Sequence, residues 1–284
     1  MDPTVTAALI GAGAALIGVG GTVIVAVTSA RNSRRTNQAT IDAARADALL
    51  TLETAREAQY ADRYSRALEQ LGSDAQGIRI GGILALEGLA LDSPRNHPTV
   101  MEVLTAYIRE HAKGRAEDDR LPRADVQAAL SVVGRRKADN DIRPIDLNNS
   151  DLRGADLTGA NLTDANLAKV NLTHATLSMV NLTRANLWGA DLSATSLTSS
   201  ILVGAELVGA NLADSLLADV NIDFAVLRNA NLTDTSFIST DLTKTDLTYA
   251  LCLGGSTAPE GWLKRGARLE RVDESTEPTA PDTN

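Results

Sequence analysis

From Leu147 onward a large apolar residue recurs at every fifth position, without one slip, through Cys252. Of these 22 positions 19 are Leu, and the exceptions are Ile222, Phe237 and Cys252. The residue two before each is small, Ala at 11 of the 22, and the residue one before is Asp or Asn at 14. A period of five matches neither the 3.6 of a helix nor the alternation of a flat strand, so the chain must turn at every repeat. One large and one small side chain point inward and three positions face outward. That pattern makes a solenoid whose coils stack at sheet spacing and pair their backbone groups up the stack. Aromatic residues are only 3% of the chain, too few for a conventional globular core, but narrow columns of Leu and Ala need none.

The units Ala155-Asp-Leu157-Thr-Gly, Ala160-Asn-Leu162-Thr-Asp, Ala185-Asn-Leu187-Trp-Gly and Ala210-Asn-Leu212-Ala-Asp carry a specific resemblance to the pentapeptide repeat proteins. The resemblance covers Ile145 to about Leu253. It implies a right-handed quadrilateral β-helix with four repeats per coil, hence about five and a half coils and a rod of roughly 26 Å at about 4.8 Å per coil. The upstream segments Arg66-Ala-Leu-Glu-Gln-Leu-Gly-Ser73, Gly81-Gly-Ile-Leu-Ala-Leu-Glu87 and Asp125-Val-Gln-Ala-Ala-Leu-Ser-Val-Val-Gly134 are similar to the membrane-linked helical region that precedes such repeats in many bacterial proteins. That second likeness brings no known reaction. The expected fold class is therefore α plus an all-β solenoid, with an N-terminal transmembrane helix and an α-helical region before the β-helix.

The membrane expectation rests on Val5 to Val27, an apolar and small-residue stretch with no charge between Asp2 and Arg31. As a helix it would run about 35 Å at 1.5 Å per residue, enough to cross a bilayer. Its positive cluster, Arg31, Arg34 and Arg35, follows the stretch rather than preceding it, which favours an anchor over an export signal. The expected location is the cell membrane, single-pass, with the N-terminus out and the repeats in the cytoplasm. Gly11, Gly13 and Gly18 superficially suggest a dinucleotide loop, but no strand precedes them and no βαβ unit follows.

Residues 36–71 lack Pro and Gly and are rich in helix formers, which predicts one long helix. Gly72-Ser73-Asp74 ends it; Ile78 to Leu91, Thr99 to His111 and about Arg123 to Arg136 are three further helical segments, broken by Asp92-Ser93-Pro94 and polar runs. Residues 31–144 carry 18 basic and 17 acidic residues, whereas 145–255 carry 5 and 12. The shift sets the expected organisation: 1–35 anchor and basic flank, 36–144 helical region, 145–253 β-helix, 254–272 C-terminal cap and 273–284 disordered acidic tail. Arg123 to Arg136 should cap the first coil, and Trp262 should pack over the last, since open coils expose strand edges.

No catalytic, cofactor or metal site emerges. The Asp and Asn before each Leu are expected to satisfy turn backbone rather than form a carboxylate ladder. Cys252 occupies a core column, and His97 and His111 lie at helix ends without partners at metal spacing. A net charge of −9 argues against direct nucleic acid binding.

Departures from the repeat single out one surface. Residues twenty apart should stack, which makes Trp188 and Val208 vertical neighbours with Arg228 next in the column. Ile201 and Val203 lie on the adjoining face. Ile201 and Val226 replace the usual Asp or Asn; Trp188, Val203 and Val208 stand where Thr or Ser is usual. Together they form an expected apolar docking patch for another protein or a second copy, unless a helix of the same chain covers it. The preferred functional reading is a non-enzymatic, membrane-anchored interaction scaffold of unknown protein partner, with a homodimer as one form of it. The alternative, implied by the family resemblance, is an acidic β-helix that resembles duplex DNA and binds a topoisomerase such as DNA gyrase.

Overall fold

The five-residue period closes into coils of four repeats, as the ladder of parallel bridges between residues twenty apart shows. One column runs Asp146↔Asn166, Asn166↔Asn186, Asn186↔Glu206, Glu206↔Val226 and Val226↔Asp246. The structure is a computed structural model that describes residues 3–113, 121–253 and 262–271, with side chains described in 31–113, 121–253, 262 and 266–269. The run 254–261 and the expected tail 273–284 lie outside the described residues.

Each coil hydrogen-bonds to both neighbours. The N–H of Leu187, for example, donates to the carbonyl of Glu206 at 2.7 Å, and that of Asn186 to Ala165 at 2.9 Å. The Leu columns are buried throughout, with Ala, Ser, Thr or Val beside them. The turns place a residue with positive φ two positions after the column residue, with Lys244 after Leu242 the exception among the described turns up to Tyr249. Lys169, Met179 and Phe224 adopt it at φ 57 to 61, and Gly204 and Gly209 supply it without steric cost. Among the described residues only two short strand pairs exceed a single bridge. β1 (Leu216–Ala218) pairs in parallel with β2 (Ser236–Ile238), and β3 (Trp262–Arg265) pairs antiparallel with β4 (Arg268–Arg271).

All 14 Asp and Asn residues before the column positions accept, through Oδ1, the backbone N–H two residues on. This is turn chemistry, as expected. Several Asn also donate Nδ2 to the residue one coil toward the N-terminus, Asn231 to Asn211 at 2.9 Å among them. At three places where Ser or Thr replaces the inward Ala the hydroxyl returns to the backbone: Thr195, Ser200 and Ser215 donate to the carbonyl three residues back.

Among the described residues four α-helices and a short 3-10 turn (Ala138–Asn140) precede the solenoid: α1 (Pro3–Leu71), α2 (Gln76–Asp92), α3 (His97–His111) and α4 (Ala124–Gly134). The chain divides into two compact units, 1–62 and 63–284. In the second, the end of α1 and α2 pack so closely that a Cβ on Gly82 would stand 2.8 Å from the carbonyl of Ala67 and from the N–H nitrogen of Leu71. The helices are also joined by a buried ion cluster. Asp125, with no exposed surface, accepts on Oδ2 from Arg79 Nε, from Tyr107 Oη at 2.8 Å and from Arg123 Nη2 at 2.7 Å. Burial pushes the Asp125 carboxyl up, but the bonds from Tyr107, Arg79 and Arg123 outweigh it and hold it well below the ordinary carboxylate range. Burial, then the carboxylate, pushes the Tyr107 phenol up to about 12.

The helical unit closes the first coil by supplying the groups a preceding coil would have supplied. The carbonyl of Gly134 accepts from Asn161 N–H at 2.7 Å. The carbonyls of Asp146, Asp156 and Asn161 accept from Arg109 Nη1, Gln127 Nε2 and Arg136 Nη1. Arg136 is held by Asp141, whose other oxygen lies 2.8 Å from His97 Nε2. At the far end β4 pairs with the last coil: Leu269 donates to Ala250 and Cys252 to Ala267, at 2.9 and 2.8 Å, and Trp262 is buried.

The membrane location requires correction. Among the described residues no helix is long and apolar enough to cross a membrane. The described part of α1, from residue 31, carries Arg, Asp and Glu every few positions and is exposed on all sides up to Gln59. The stretch Val5 to Val27, on which the span, the single-pass topology and the cytoplasmic placement rested, lies outside the residues whose side chains are described, and its five glycines dilute its apolar content.

Candidate protein-docking surface

The repeat geometry decides where each irregular residue stands. Trp188 and Val208 occupy the same outward position in successive coils, and Gly189 N–H donates to the Val208 carbonyl at 3.0 Å between them. Arg228 continues the column, its carbonyl accepting from Gly209. Val226 lies on the same face but in the neighbouring column, directly after Glu206. Ile201 and Val203 flank the buried Leu202 on the preceding face, so the two faces meet at a corner through Gly204 and Ala205. Trp188 is 49% and Ile201 41% exposed, whereas Val203, Val208 and Val226 are half-buried.

Two features of this corner were not visible as sequence irregularities of the same kind. Phe224, 65% exposed, stands at the corner one coil beyond Gly204 and lies between the two groups of apolar residues. It is one of only two Phe in the chain and occupies a positive-φ turn position otherwise filled by polar residues, Gly, Ala, Met or Tyr, which was the signal available. Glu206, exposed, interrupts the apolar surface beside Val208.

Basic residues line the corner and are internally engaged. Arg184 pairs with Asp164 through two bonds of 2.7 Å, and Arg228 pairs with Asp246. Lys244 reaches Asp223 at 2.8 Å, a bond that holds its ammonium above the usual lysine range. Lys169 Nζ lies 4.9 Å from the Trp188 ring centroid and Lys244 Nζ 5.6 Å from that of Phe224, both within cation–π reach. The described helices meet the solenoid at its first coil, through Asp146, Asp156, Ala160 and Asn161, and make no hydrogen bond to the corner residues.

Nothing in this surface resembles a reaction centre. Among the described residues no group of three His, Cys, Asp or Glu could hold a metal ion. Cys252 is buried in its column. His97 is taken up by Asp141, and His111 stacks on Tyr107 with ring centroids 4.0 Å apart.

The family model for pentapeptide repeats matches the chain in eight copies, over residues 145–178, 177–214 and 210–250. A solved pentapeptide repeat protein of Nostoc PCC 7120 is 35% identical over 32% of this chain and 83% of its own, with a TM-score of 0.23. Another, from the thylakoid lumen of Arabidopsis thaliana, is 30% identical over 34% of this chain and 66% of its own, with a TM-score of 0.22. QnrB1, a plasmid-mediated fluoroquinolone resistance protein, is 17% identical over 38% of this chain, which spans 59% of QnrB1, with a TM-score of 0.27. A comparison with curated proteins gives no match.

Proposed function

The chain belongs to the pentapeptide repeat family, and from that premise we propose that it is a non-enzymatic interaction scaffold whose β-helix presents the corner around Trp188, Ile201, Val203, Val208, Phe224 and Val226 to a protein partner. The observation that carries this reading is the exposure of a Trp and a Phe within one cluster of apolar residues, on a surface that the repeat fills mostly with Thr, Ser, Asp and Asn and on which Met179, Leu216, Ile238 and Tyr249 are the other exposed large apolar residues before Leu253. An exposed aromatic gains little in water and much when a partner desolvates it, and aromatic anchors in the middle of a patch dominate interface energies. A rigid coil stack suits the role, because the side chains are held in register before any partner arrives. The test is capture by the tagged full chain from cells of its source, comparing wild type with Trp188→Ser/Val208→Ser and with Ser193→Arg on the next face. A partner lost with the first variant and kept with the second supports the reading; a partner kept by both removes the corner from it.

A second reading has its own observation. The two faces away from the corner carry six carboxylates against Arg153 alone, itself paired with Asp151, which favours the acidic mimic of DNA. It predicts that the full chain competes with duplex DNA for gyrase, and a chain that leaves DNA binding by gyrase unchanged at excess rules it out.

A further inference from the structure

We draw no further inference here: the strongest candidate, the cavity at the last coil lined by Phe224, Thr243, Lys244, Thr248 and Trp262, adjoins the run 254–261 outside the described residues, and nothing in the structure shows what fills it.

Discussion

The side-chain amide of Gln127 pairs with both backbone groups of Asp156, donating Nε2 to its carbonyl at 2.7 Å and accepting its N–H on Oε1 at 3.1 Å. A glutamine from α4 thus occupies the place of a strand. Gln127→Ala leaves both groups to water at an exposed edge, so the expected loss is about 1 kcal/mol, read as a lower urea midpoint with an unchanged slope. Gln127→Glu keeps the acceptor, loses the donor and sets a carboxylate against a carbonyl, and should cost at least as much.

The other junction residue is Gly134, where an added Cβ would stand 2.8 Å from the Ala160 Cβ while the Gly134 carbonyl holds Asn161 N–H. Both groups are backbone or rigidly placed, so neither yields cheaply. Gly134→Val should cost about 2 kcal/mol or more and raise hydrogen exchange at Asn161 selectively.

Asp125 and Tyr107 give the helical unit two pH limits. The Asp125 carboxyl is depressed in the folded state, so its contribution is present above the unfolded value of about 3.9 and is lost as pH falls below it. The Tyr107 phenol is raised to about 12, so its contribution is present below about 10 and is lost as pH rises from there through 12. Stability measured by urea unfolding should therefore be flat with respect to these groups from pH 5 to 9, in the sense of roughly constant midpoints, and fall at both ends. Tyr107→Phe should remove the alkaline fall attributable to this group, and Asp125→Ala, which leaves Arg79 buried without its partner, should cost about 3 to 5 kcal/mol at neutral pH.

Core and turn positions on one face of the solenoid should differ in cost. Leu192→Ala empties part of a fully buried column and should lose about 3 kcal/mol, whereas Asn171→Ala removes one turn acceptor, for Thr173 N–H at 3.0 Å, and should lose about 1 kcal/mol. Equal losses in thermal or urea unfolding would mean that the turn acceptors matter as much as the columns.

Most of the solenoid can be read from the chain because its period is short and its rule local. Leu at every fifth place, Asp or Asn before it and a small residue before that already specify the column, the turn acceptor and the close approach. The number of repeats in a coil enters only through resemblance, and the bridges between Asn186 and Glu206 and their equivalents supply it. The helices are equally legible, since composition and break signals are local. What the period does not carry is long-range pairing. Nothing around Gln127, Arg136 or Arg109 marks them as edge-closing side chains, because their partners Asp156, Asn161 and Asp146 lie 25 to 37 residues away. Arg79 and Tyr107 lie 46 and 18 residues from Asp125 and share no local signal with it, yet burial joins them. At the corner, Trp188, Ile201, Val203, Val208 and Val226 stand out as departures from the repeat, while Phe224 does not, since the turn position it fills tolerates varied residues. The membrane assignment weighed an apolar run and the arginine cluster that follows it, and no described helix supports it.

The most direct test of the docking corner is site-specific photo-crosslinking in living cells, with a photoreactive amino acid at Val208 and, separately, at Ser193 on the next face. The corner reading predicts discrete adducts from position 208 and none from 193. Adducts of equal yield at both positions, or at 193 alone, would contradict it.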